Sequence, residues 1–438
     1  NYYIISYFCP LNQEYMLVKT IKVFGVALCL GSISFAQTSK PYFQQRVNTT
    51  MEVKLNDKDH TLSATSSIEY INNSPDQLTF IYMHLWPNAY KNVNTAMGQQ
   101  VLSNGDLDFQ FAKEDERGYI DSLDFKVNGV SVKLEYDPIH IDIAKIILNE
   151  PLKSGETIVI TTPFFVKIPV GIYSRLGHIG ESYQITQWFP KPAVYDREGW
   201  HPLPYLSQGE FYSEFGSYDV KISVPKNYVL GATGDLQNGE EELKWLEQKV
   251  KDTEALIKTK SYDVNKAGKP NMEFPKSSKE FKTLHFKQDN VHDFAWFCDK
   301  RFHVLKGEVT LPHSKEKVTS WAMFTNSEFK LWEKSIEYLN DAVYYYSLWN
   351  GDYPYKHVTA VDGSISAGGG MEYPNITVIG KSYTATGLEQ VIVHEVGHNW
   401  FFGMIGNNET YRAMLDEGFT QFLTSWSIKR FNKLLKTS

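Results

Sequence analysis

The sequence predicts a multidomain α+β protein, with an all-β first part and a smaller, mainly helical second part. Three observations point there. At 438 residues the chain is longer than one ordinary core organises. From Tyr42 to Val309, β-rich stretches with two-residue alternation are separated by turn clusters. Beyond Val309 the apolar period lengthens to three and four residues. A hydrophobic share of 42% and a charged share of 22% are those of a chain that buries a core. Net charge is −7 and no long basic run occurs, which argues against a nucleic-acid partner.

The chain begins at Asn1, so residues 1–15 are read as upstream translation or a fragment edge. Residues 16–36 have the three parts of a secretory signal. Lys19 and Lys22 supply the charge, Val23 to Leu30 the apolar run, and Ser34-Phe35-Ala36 the cleavage site. The run is short of the ~20 residues a spanning helix needs, so no stable membrane span is expected. The expected location is secreted or periplasmic. A lipoprotein anchor at Cys29 is disfavoured, because Leu28 stands where a small residue is needed. Cys9 and Cys29 fall in or before this segment, leaving Cys298 alone and unable to form an internal disulfide. Its neighbours Ala295-Trp296-Phe297 suggest a buried thiol.

The β part is expected over 37–312. Thr61 to Ile71, Leu78 to Leu85, Glu156 to Thr162 and Tyr218 to Val224 read as strands. Turns are read at Asn56-Asp57-Lys58-Asp59, Asn72-Asn73-Ser74-Pro75 and Lys153-Ser154-Gly155. One charged stretch, 238–260, places Leu243, Leu246, Val250 and Leu256 near helical spacing and reads as a surface helical insertion. The second part, 313–438, opens with an amphipathic helix over 327–349. There Phe329, Trp332, Ile336, Leu339, Val343 and Tyr346 share a face, Asn326 is the cap and Gly351 the stop.

Two further helices carry the chemistry. The first is expected from about Leu388 to Phe402, started by a Thr386 and Glu389 capping box. It contains His394-Glu395-Val396-Gly397-His398. Residues four apart share a helix face, so both imidazoles can reach one zinc ion, with Glu395 placed as general base for the water that zinc activates. With 12 His and 51 acidic residues in 438, chance supplies roughly 0.04 such matches. A lone match would be suggestive only, since histidines on a helix are often satisfied by backbone or carboxylates. Glu417 follows His398 with 18 residues between, on a second helix whose buried stripe is read as Leu415, Phe419, Phe422, Leu423 and Trp426. Two His and one Glu make a catalytic zinc set that leaves a fourth position open.

This H-E-x-x-H-x18-E arrangement, with Asn399-Trp400-Phe401 after it and Leu415-Asp416-Glu417-Gly418-Phe419 around its third acid, resembles the gluzincin aminopeptidases related to aminopeptidase N. Gly369-Gly370-Met371-Glu372-Tyr373-Pro374 resembles that family's G-x-M-E-N segment, with Tyr373 in place of Asn. Trp188 to Asp196 and His292 to Trp296 are similar to segments of its N-terminal β domain.

The resemblance implies a saddle-like β domain followed by a thermolysin-like catalytic domain. The chain would be truncated inside that domain, and the family's transition-state tyrosine would lie beyond residue 438. Tyr383 and Tyr411 do not match its position. His394, His398 and Glu417 would hold one zinc ion, Glu395 would be the base, and Glu372 would bind the α-amino group of a peptide with a free N-terminus. Gly369, Gly370 and Met371 would line the substrate. Asp416 and Asn399 are candidate acceptors for the histidines' second ring nitrogens. The implied activity is zinc-dependent removal of N-terminal residues. The alternatives are a broader or bifunctional zinc peptidase and a non-catalytic interaction module.

Overall fold

The computed structural model describes residues 41–260, 273–363 and 369–434. The expected signal segment 16–36, with Cys9 and Cys29, lies outside the described residues. Tyr42–Ser438 group as one compact unit. Among the described residues no helix is long and apolar enough to cross a membrane.

The alternating stretches are strands. Arg46–Asn56 and Thr61–Ile71 pair antiparallel, and along each every second residue is buried. Alternate side chains of a strand take opposite faces, so Met51, Val53, Leu55, Leu62 and Ala64 line one side and polar residues the other. The pair sits inside a nine-stranded sheet. Its long members run Phe281–Val291, Gly216–Pro225, Arg46–Asn56, Thr61–Ile71 and Thr157–Lys167. The one parallel contact among these five is Arg46–Asn56 against Gly216–Pro225. Thr61–Ile71 falls where the alternation placed it. Leu78–His84, Thr157–Lys167 and Gly216–Pro225 differ from expectation at their ends only.

The charged stretch is a helix, Glu240–Thr259, with Leu246 and Val250 buried and Leu243 exposed. The two segments similar to known β-domain sequences pack on each other. Trp188 donates from Nε1 to the Phe294 carbonyl at 3.1 Å and meets Trp296 edge to face at 6.3 Å. Cys298 is buried.

Strands also lie beyond residue 312, within the loop and strand region expected over 353–379 and before it, and their sheet crosses the expected boundary at 312. His303–Thr310, Lys317–Phe324, His357–Asp362, Ile376–Ile379 and Gly370–Tyr373 form a five-stranded mixed sheet in that order, with Gly370–Tyr373 at an edge. The helix expected over 327–349 is broken. A turn at Phe329–Trp332 precedes the helix Ser335–Asn350, and Asn326 caps neither. The apolar spacing continues through Glu333 and Lys334 because both pieces bury the same side, so periodicity could not register the break.

Helix Ala385–Gly397 packs across Ser335–Asn350. Its N-terminal cap is Thr384, whose hydroxyl accepts from the Gly387 amide at 3.0 Å, and not the expected Thr386. It ends at Gly397 with His398 as its C-cap, five residues earlier than predicted. The helices approach closely at Gly397. A Cβ there would stand 2.5 Å from the Tyr346 hydroxyl, which also meets Thr424 Oγ1 at 3.0 Å on helix Glu417–Leu434.

The predicted stripe on that last helix is not buried. Leu415, Phe419, Phe422 and Trp426 are exposed, Leu423 is half-buried, and Thr420, Thr424 and Ser427 take the inner face. Hydrophobicity alone misassigned this face, because the contact with Tyr346 and His398 is made by hydroxyls.

Two predictions follow from this packing. Gly397→Ala should destabilise the fold by about 1–3 kcal/mol in urea unfolding, since Tyr346 and the helix it anchors must both shift. His292 is buried with Nε2 on the Phe402 carbonyl at 2.8 Å, and burial lowers its pKa to about 4. The unfolded chain therefore binds a proton near pH 6.5 that the folded chain refuses. Stability from this residue is present above that pH and is lost as pH falls from 6.5 towards 4, by up to about 3 kcal/mol. His292→Gln should flatten that limb of a Tm-against-pH curve.

Candidate metal centre and active site

The site is built where helix Ala385–Gly397 meets the start of helix Glu417–Leu434. His394 and Glu395 lie on the first helix. His398 is just past its end but keeps helical angles (φ −61°, ψ −16°), so the four-residue spacing still stacks the two imidazoles on one side. Their rings stand nearly perpendicular with Nε2 atoms 3.1 Å apart. Glu417, the first residue of the second helix, brings Oε2 to 3.1 Å from His394 Nε2 and 3.8 Å from His398 Nε2.

These three atoms fit a metal ion. Two ligands each about 2 Å from one tetrahedral ion lie about 3.3 Å apart, the separation found here. The hydrogen bonding supports the same assignment. His398 Nδ1 donates to Asp416 Oδ1, which fixes the tautomer and turns the Nε2 lone pair towards His394 and Glu417. Asp416 is fully buried and reaches the ring from one residue before Glu417, so a single turn supplies both a candidate ligand and the group that orients another. Asn399 does not share that task. It bonds the Val396 carbonyl and the Asn375 amide. His394 Nδ1 is buried without a partner.

Charge around this point is dense. Hydrogen bonding to His394 holds Glu417 below the usual carboxylate range despite partial burial. Burial opposes a charged His398, but Glu372, Asp416 and Glu395 outweigh it and raise its pKa well above 6.5. A divalent cation would take over the charge balance that this proton provides.

Glu395 is buried, with Oε2 unpartnered, and burial raises its pKa. It faces the edge strand Gly370–Tyr373, where a Cβ on residue 370 would lie 2.4 Å from its Oε1. Glu372, two residues along that strand, is buried with Oε1 unpartnered, and burial pushes its carboxyl well above the usual range. Ligand atoms of Glu372, His398 and Asp416 lie within 4.8 Å of one another. Met371 and Tyr373 alternate to the other side. Met371 Sδ takes the Arg175 Nε donor at 3.1 Å, and the Tyr373 hydroxyl donates to Gln187 Oε1 at 3.1 Å. Tyr373 thus ties the strand to the first part of the chain. Gly369 has open space where a side chain would be.

All eight residues singled out in the sequence are thus placed around one point or along the strand beside it. Sequence reasoning missed three. Arg175, buried, pairs with Glu210 at 3.2 Å, and Glu409 is buried on the turn Glu409–Arg412. No spacing connects residues 175, 210 and 409. Only the burial of acids and a cation in otherwise unremarkable loops could have hinted at them.

No protein-family model matches the chain, and no curated protein does. Solved structures do. An M1 zinc metallopeptidase from Deinococcus radiodurans matches at 14% identity with a TM-score of 0.53, covering 89% of this chain and 71% of that one. A variant of that peptidase bound to a Tyr-Ser-Ala substrate matches at 14% with a TM-score of 0.52 over the same shares. Legionella pneumophila aminopeptidase A in complex with aspartic acid matches at 12% with a TM-score of 0.57, covering 90% of this chain but 38% of that one. The likeness shows the fold, a β-rich N-terminal region followed by a region of mixed sheet and helices.

Asp416→Asn replaces an acceptor-only carboxylate with an amide that can also donate, so it no longer fixes the His398 tautomer. Affinity for zinc, measured by competition with a chromogenic chelator, should fall about 10- to 100-fold.

Proposed function

We propose that this chain carries the active site of a zinc-dependent aminopeptidase. One observation carries the reading: His394, His398 and Glu417 converge on one point, with Glu395 and Glu372 buried beside it and each bearing an unpartnered oxygen. Bound there, zinc would supply a Lewis acid that polarises the scissile carbonyl and lowers the pKa of water at its open position. Glu395 takes the proton of the attacking water on its free oxygen and passes it to the leaving amine. Glu372 receives the α-ammonium group, a charge-assisted contact that a blocked N-terminus cannot make. The edge strand Gly370–Tyr373 offers unpaired backbone groups to an extended peptide. The expected signal at 16–36 would place this activity outside the cytoplasm.

A non-catalytic interaction module has no use for two buried, unpartnered carboxylates beside a ligand set, since each costs stability. A broader zinc peptidase would share the metal centre and lack dependence on Glu372.

Glu395→Gln should keep one zinc per chain by metal analysis and lower kcat by at least about 10²-fold. Acetylating the N-terminus of a peptide should lower kcat/KM about 10- to 100-fold. Equal rates on free and acetylated peptides would favour the broader peptidase, and absence of stoichiometric zinc the interaction module.

A further inference from the structure

Glu409 is a buried acid that the mechanism above does not use. It is 2% exposed, and its Oε2 has no hydrogen-bond partner. Among the described residues no lysine or arginine forms an ion pair with it. Its place is set by a chain of contacts that runs around the site. The adjoining Thr410 hydroxyl donates to the Glu210 carbonyl at 2.7 Å. The Glu210 carboxylate pairs with Arg175 at 3.2 Å, and Arg175 Nε donates to Met371, next to Glu372. These contacts tie the turn that bears Glu409 to Glu210 and to the strand that bears Glu372. Burial pushes its carboxyl well above the usual range, and Asp416, Glu372, Glu210 and Glu417 add to the effect.

The charges can be matched group by group. Arg175 pairs with Glu210, and Asp416 takes the hydrogen bond of His398 Nδ1. A divalent ion at His394 and His398 would answer Glu417 and offset Glu395. An α-ammonium would answer Glu372. Glu409 is left over. A buried carboxylate without a partner is costly, and the ligand that relieves it is a cation.

We propose that the site selects peptides whose N-terminal residue has a cationic side chain, lysine or arginine, with Glu409 receiving that second charge and Glu210 beside it. This rests on the aminopeptidase reading and deepens it. A substrate of this class brings two positive groups, one for Glu372 and one for Glu409, to two buried acids that each bear an unpartnered oxygen.

Lysine and norleucine have side chains of similar length that differ in the charged amine, so they isolate the contact. On the zinc-loaded protein, kcat/KM for Lys-Ala-Ala should exceed that for norleucine-Ala-Ala by about tenfold or more. In Glu409→Gln the ratio of the two should fall towards one. A readout that needs no variant is inhibition of the wild-type protein, where lysine amide should outcompete norleucine amide by a similar factor. Comparable rates on both peptides, with both cleaved, would overturn the cationic preference and leave the aminopeptidase reading standing. A preference that survives in Glu409→Gln would overturn the role of Glu409. Failure to cleave either peptide with zinc bound would remove the aminopeptidase reading, and this proposal with it.

Discussion

The contact between His398 and Asp416 is the constraint on which the rest of the site depends. It joins the end of one helix to the residue just before the next, and it is made in full burial. With Asp416 holding Nδ1, the His398 ring can present only Nε2 to the point where His394 and Glu417 meet it. Displacing either helix would leave an uncompensated buried charge, so the geometry is held by the cost of losing it as much as by the strength of the pair. The Tyr346 hydroxyl against Thr424 and the lack of a side chain at Gly397, whose place Tyr346 takes, bring the helices close enough for that contact to form.

The second requirement is that an edge strand lie against the helix bearing Glu395. Gly370 permits it, because any side chain there would enter the space of the Glu395 carboxylate. The strand is anchored on its far side to the first part of the chain, by Met371 on Arg175 and by Tyr373 on Gln187. The β-rich part therefore does more than precede the site. Through residues 175, 187 and 210 it fixes the orientation of Glu372 and adds an acid and a guanidinium to the surroundings.

Much of the fold was legible where one physical rule decided the outcome. Alternation placed the strand at Thr61–Ile71, because one face of the sheet is buried along its whole length. The charged stretch near 240–259 gave its helix because Leu246 and Val250, at helical spacing, form its buried side. Reading failed where two rules competed. The break at Glu333 and Lys334 leaves the apolar side continuous, so periodicity passed over it. Thr384 and Thr386 are equally good caps by residue type, and Thr384 is the one with the extended backbone of a cap (φ −139°, ψ 154°). On helix Glu417–Leu434 the large apolar side chains face outward, and small hydroxyl residues fill the tight contact that the large ones could not enter.

What the sequence determined by itself was the local chemistry. A four-residue spacing on a helix puts His394 and His398 on one face, and an acid with 18 residues between is close enough along the chain to return to it. Those are consequences of helix geometry and chain length, so they survive any tertiary arrangement that keeps the helices. What only the tertiary structure decided was which distant groups share that space. Arg175, Glu210, Glu372 and Glu409 come from four separate segments, and their charges interact because folding removes the water that would screen them. No local pattern encodes that burial, so the acidity of the site belongs to the fold.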